Sequence, residues 1–125
     1  MDDARDDFVA DVQRYVAAGE ELAAAIADFN AMNRAALEDI AIGVPVSESF
    51  RIRDSAGWSR RITGLLDEFE ACRRVTRASA AAALVDEGRS VTDIGRAFGV
   101  SNQVASRFAK GAGRYGDRSV GITPD

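Results

Sequence analysis

The side chains best suited to selective chemistry crowd into residues 89–110. Asn102, Gln103, Ser106 and Arg107 carry amide, hydroxyl and guanidinium groups, and Arg89, Thr92, Arg96 and Lys110 flank them with three cations and one hydroxyl. On a helix that starts after Ser101 and buries Ala105 and Phe108, residues three and four apart share a face. Asn102, Gln103, Ser106, Arg107 and Lys110 then point away from the core. Groups of this kind form directional hydrogen bonds and attract anions; they do not make or break covalent bonds. Catalytic parts are missing elsewhere. The sequence has no histidine to serve as general base or metal ligand, Cys72 is its one thiol, and no glycine-rich phosphate loop follows a strand. The expectation is a non-enzyme without a cofactor, and a lone cysteine leaves no internal disulfide and no thiolate pair for zinc.

Other groupings admit a chemical reading, and each has a plainer one. Asp2, Asp3, Asp6 and Asp7 space carboxylates four apart, as a magnesium site would. Acids at a helix N-terminus also complement the helix dipole, which is the preferred reading. Arg51, Arg53, Arg60 and Arg61 suit a second phosphate-binding surface, or a solvated face that pairs with the acidic first helix. Trp58 reads as a core anchor and Cys72 as a small core residue. Asn33 reads as a buried, register-setting amide or as a solvent-facing side chain.

The elements that must position these groups are helical. Stepping alternately by four and three from Phe8 reaches Val12, Tyr15, Gly19, Leu22, Ile26, Phe29, Asn33, Ala36 and Ile40, a seam held for about five heptads. Val9, Val16, Ala25, Met32 and Leu37 widen this stripe, so the helix packs on more than one neighbour. Residues 4–42 are expected as one helix, ended by Gly43, Val44 and Pro45. Residues 47–53, where Phe50 and Ile52 alternate with Arg51 and Arg53, fit a short extended connector or a ragged helical turn and are read as a loop. Asp54 is a candidate N-cap, and from Trp58 the same stepping gives Ile62, Leu65, Phe69, Cys72, Thr76, Ser79 and Ala83. The cluster of Arg73, Arg74 and Arg77 marks a place where this helix can break. The fold class is all-α: a long antiparallel helical hairpin over 1–72 that serves as a dimerisation arm, then a three-helix head over 73–110. Residues 111–125 hold four glycines and no period, and are expected to be disordered when unbound.

Charge separates along the chain. The net charge is −4, yet residues 1–48 carry eleven acids against three arginines, and residues 73–118 carry nine bases against four acids. A polyanion is repelled by the first part and attracted by the last. The run of apolar residues at 80–85, which no other exceeds, is far short of the roughly 20 residues that cross a bilayer. The acidic start differs from a secretory signal, so a cytoplasmic protein is expected.

Within the head, Ser90 and Asp93 form a capping-box-like start, Val91, Ile94 and Phe98 make one apolar stripe, Gly99 ends the helix and Ser101 caps the next. Gly95, Gly99, Val100, Ser101 and the pair Ser106 and Arg107, within the run DEGRSVTDIGRAFGVS and its continuation, resemble the tri-helical helix-turn-helix superfamily of bacterial and phage regulators, resolvases and transposases. The run looks like small actinobacterial helix-turn-helix proteins, and the likeness covers about 37 of the 125 residues. It implies that residues 101–110 are a recognition helix in the DNA major groove, with Ser101, Asn102, Gln103, Ser106 and Arg107 near base edges and Arg89, Thr92, Arg96 and Lys110 on phosphates. The chemistry suits that assignment, since Asn or Gln pairs with adenine and Arg with guanine. The expected function is sequence-specific binding of double-stranded DNA by a small homodimeric transcriptional regulator. The alternative is a protein–protein interaction module or adaptor, with a partner protein at the acidic hairpin and the helix-turn-helix as a docking surface.

Overall fold

The computed structural model describes residues 3–112, which form five helices and no strand. These are α1 (Asp3–Ala41), α2 (Val46–Ile52), α3 (Ser55–Asp86), α4 (Val91–Phe98) and α5 (Asn102–Ala112). The all-α expectation is met, and α1 lies within a residue of its expected bounds at either end. Gly111 and Ala112 continue α5 rather than opening the tail; residues 113–125, where the rest of that tail was expected, lie outside the described residues, as does Asp2. No helix among the described residues is long and apolar enough to cross a membrane.

Local chemistry sets the boundaries. At the end of α1 the Val44 amide donates to the Asp39 carbonyl and the Gly43 amide to the Ile40 carbonyl, each at 3.0 Å, the paired closure of a Schellman motif. The loop expected over 47–53 is instead the helix α2. Pro45 supplies its entry, with the Ser49 amide donating to the Pro45 carbonyl at 2.9 Å, and Glu48 pairs with Arg51 one turn on. The alternation of Phe50 and Ile52 misled because α2 is anchored by a polar side chain: buried Ser49 donates to Asp39 Oδ2 at 3.0 Å. Val46, Phe50 and Ile52 remain half exposed. Asp54 then caps α3, accepting the Gly57 amide at 3.3 Å. A Cβ on Gly57 would fall 2.2 Å from the Asp54 carboxylate, so a larger residue there would make that carboxylate shift. From Ser55 the helix runs unbroken through the arginine cluster to Asp86.

The chain divides into two compact units, Ala17–Phe69 and the described residues up to Val16 with those from Glu70 onward. In the first, Leu22, Ala25 and Ala36 are buried, Phe29 and Trp58 pack with ring centroids 6.2 Å apart, and Gly19 lies against the Phe69 ring. Trp58 is thus a half-buried anchor. The buried line departs from the expected seam: Ile26, Asn33 and Ile40 are exposed, and the asparagine faces solvent. Leu22 and Ala36 of that seam stay buried, and Ala25 joins them because its small side chain lets the neighbouring helix approach, leaving Ile26 and Ile40 on the flank. In this unit Arg53 grips Asp39 and Arg61 lies over Trp58, 5.4 Å from the ring centre. Pairing with the acidic first helix therefore accounts for Arg53.

The second unit has a core of small and hydroxyl-bearing residues: Thr76, Ser79, Ala81, Ala82, Ile94 and Ala105 are buried. The Thr76 hydroxyl donates to the Asp11 carbonyl at 3.2 Å and the Ser79 hydroxyl to the Thr76 carbonyl at 3.0 Å, so these polar groups are satisfied where they are buried. Asp11, itself buried, receives Arg14 at 2.7 Å. Asp3 and Asp6 sit in the first turn of α1, and no group of three potential metal ligands comes together among the described residues. Cys72 is a half-buried free thiol.

Candidate nucleic-acid interface

The helices α4 and α5 are held by caps that the local sequence dictates. Ser90 Oγ accepts the Asp93 amide and Asp93 Oδ2 accepts the Ser90 amide, each at 3.2 Å, closing a reciprocal capping box. The Ser90 backbone and side-chain hydrogen bonds, with the charges of Arg89 and Arg96, hold the Asp93 carboxyl below its ordinary pKa. At the other end Gly99 takes the left-handed conformation with φ 67°. The Val100 amide reaches the Gly95 carbonyl at 2.9 Å. Ser101 Oγ then accepts the Val104 amide at 3.2 Å and starts α5.

Packing fixes the angle at which α5 leaves the turn. Ile94 and Ala105 are fully buried between the two helices, and Phe98 meets Phe108 edge to face with centroids 5.3 Å apart. Gly95 permits the close approach. A Cβ there would stand 3.0 Å from the Val100 carbonyl oxygen and 3.5 Å from Ala105 Cβ. From α3, the Arg77 guanidinium lies 4.9 Å from the centre of the Phe108 ring.

On this frame Ser101, Asn102, Gln103 and Arg107 are exposed and Ser106 is half buried. Arg89, Thr92, Arg96 and Lys110 are exposed too. The Asn102 amide reaches Thr92 Oγ1 at 3.5 Å, the outer limit of a hydrogen bond, and brings the first turns of α4 and α5 together. Asn102 and the Ser101 oxygen are therefore engaged within the head, whereas Gln103 and Arg107, four apart, keep their polar ends toward solvent. Among the described residues Arg89, Arg96, Arg107 and Lys110 form no direct ion pair, unlike Arg14, Arg51, Arg53 and Arg73, although the charges of Arg89 and Arg96 act on Asp93. Four exposed cations beside a row of forked hydrogen-bonding groups make a surface able to hold a polyanion and to discriminate among flat, hydrogen-bonding edges.

Sequence reasoning missed three contributors. Arg77 and Phe108 are too far apart in sequence for any periodic signal to join them, the Asn102 bridge depends on the angle between α4 and α5, and the need for glycine at 95 depends on the path of the turn. The glycine itself, standing inside an otherwise helical pattern, was the available clue. Comparison of the chain with protein-family models, curated proteins and solved structures finds no match.

Proposed function

We propose that the chain binds double-stranded DNA sequence-specifically as a small dimeric transcriptional regulator: a long antiparallel helical hairpin, α1 with α3, carries a helix-turn-helix whose second helix, α5, reads the major groove. The observation that carries this reading is the capped α4–turn–α5 unit, whose solvent face presents Gln103 and Arg107 with exposed Arg89, Arg96 and Lys110. Arg107 suits guanine and Gln103 suits adenine; Ser101 and Asn102 lie at the start of the same helix and Ser106 one turn on, while Arg89, Thr92, Arg96 and Lys110 serve phosphates. The overall charge of −4 is no obstacle, because the acids concentrate in residues 1–48.

A second reading, an interaction module that docks a partner protein, draws support from one feature. Ile42, Val46, Phe50 and Ile52 each expose half or more of their surface around α2, where a helix buries its polar side and shows its apolar one. Titration of the full chain with a random-sequence duplex at two salt concentrations decides between them. The DNA reading expects binding that weakens steeply with salt as counterions are displaced; absence of duplex binding at low salt favours the docking module.

A further inference from the structure

Ile26, Asn30, Asn33, Leu37 and Ile40 alternate by four and three, so they lie along one side of α1. Ile26, Leu37 and Ile40 leave 39%, 67% and 37% of their surface in solvent, and both asparagines are exposed. This flank runs beside the buried line of Leu22, Ala25 and Ala36 and stays partly open to solvent, most of all at Leu37. It is also the uncharged side of an acidic helix. None of the eleven acids in residues 1–48 falls on it, and Arg34 stands only at its edge. Finally, the strip is symmetric: Ile26 is seven residues before Asn33, and Ile40 seven after. A two-fold contact between identical surfaces must be self-complementary, with residue i against j and j against i.

We infer that this strip is a contact between two copies of the chain, in which the α1 helices run antiparallel, the Asn33 amides meet at the two-fold axis, and Ile26 of one copy packs against Ile40 of the other. The antiparallel sense keeps the two acidic N-terminal segments apart, whereas a parallel pairing sets like charges and like helix dipoles side by side. The central amide fixes the register, because a slip of one heptad opposes Asn33 to isoleucine and leaves it without an amide partner. The strip offers on the order of 500 Å² per copy, below the roughly 800 Å² of a standard interface, so the contact forms at micromolar concentration rather than permanently. A shared DNA site strengthens it through effective concentration. The inference rests on the dimer in the functional reading above and is independent of whether DNA is bound.

Sedimentation of the full chain over a concentration series, with Leu37→Arg beside it, is the first arm of the test. A monomer–dimer equilibrium is expected, weakened at least tenfold by Leu37→Arg, with helicity by circular dichroism unchanged. The second arm uses oxidation in a Cys72→Ser background. Asn33→Cys should give a covalent dimer, a mixture of Ile26→Cys and Ile40→Cys should give the mixed disulfide, and Asp28→Cys should give neither. A wild type that stays monomeric, a dimer indifferent to Leu37→Arg, or efficient cross-linking of Ile26→Cys to itself overturns the inference. Duplex binding scored on the same samples separates the two claims: a dimer with these cross-links but no affinity for duplex sustains this contact and sinks the DNA reading.

Discussion

The Arg77 guanidinium on α3 lies 4.9 Å from the centre of the Phe108 ring on α5, and Phe108 in turn meets Phe98 of α4 edge to face. One cation and two rings thus tie α3, α4 and α5 together, and the orientation of the exposed face of α5 depends on them.

Arg77→Ala is therefore expected to destabilise the protein by about 1 kcal/mol, within the range of a partly desolvated cation–π contact. Arg77→Lys, which keeps the charge but not the planar group, should fall between the two. Urea unfolding followed by circular dichroism measures both, and an unchanged midpoint for Arg77→Ala would show that the stack contributes nothing.

Asp39 predicts a pH dependence. Arg53 donates to it through Nε at 2.9 Å and Nη2 at 2.7 Å, and Ser49 through its hydroxyl at 3.0 Å. The Arg53 hydrogen bonds, with a smaller push from Ser49, hold its carboxyl below the ordinary aspartate range despite the opposing effect of burial. A group whose folded pKa is depressed contributes stability that is complete above its unfolded pKa, about 3.9, and is lost as pH falls through the lower folded value. The melting temperature should fall on acidification below about pH 4, and Asp39→Asn should lower it at neutral pH while flattening that acid limb. Parallel acid limbs for the two proteins would contradict the assignment.

The caps of α4 give a third expectation. Ser90→Ala removes the oxygen that accepts the Asp93 amide and should cost about 1 kcal/mol. Gly99→Ala forces a Cβ into the left-handed region at φ 67° and should cost about 1–2 kcal/mol. Both are read from urea midpoints, with Thr63→Ala on the exposed side of α3 as a neutral reference.

These caps were legible in the sequence because they are local: Ser90 with Asp93, Gly99 and Ser101 act on amides within a few residues. So was α1, whose apolar period runs from Phe8 to Ile40 and is interrupted only at Gly19 and Asn33. The helix α2 was not, since the signal that read as a strand-like alternation came from its exposed side and its anchor, Asp39, lies ten residues upstream of Ser49. The burial of Ala25, and the exposure of the seam residues Ile26 and Ile40, was hidden for a related reason. Periodicity names a stripe, but which edge of it is covered depends on how closely the neighbouring helix approaches. At the candidate interface the outward side chains were foreseen from helix geometry, while the diversion of Asn102 toward Thr92 required the angle between two helices.

The central claim is that α5 reads DNA, and Arg107 tests it most directly. Fluorescence anisotropy should be measured for wild type, Arg107→Ala and Lys110→Ala against a duplex selected from a random pool and against a scrambled duplex, at several salt concentrations. Arg107→Ala is expected to lose about 1–3 kcal/mol on the selected site and little on the scrambled one. Lys110→Ala should weaken both alike and reduce the salt slope by about one phosphate contact. Unchanged affinity of Arg107→Ala for both duplexes, with its helicity intact, would place α5 outside the groove and contradict the account.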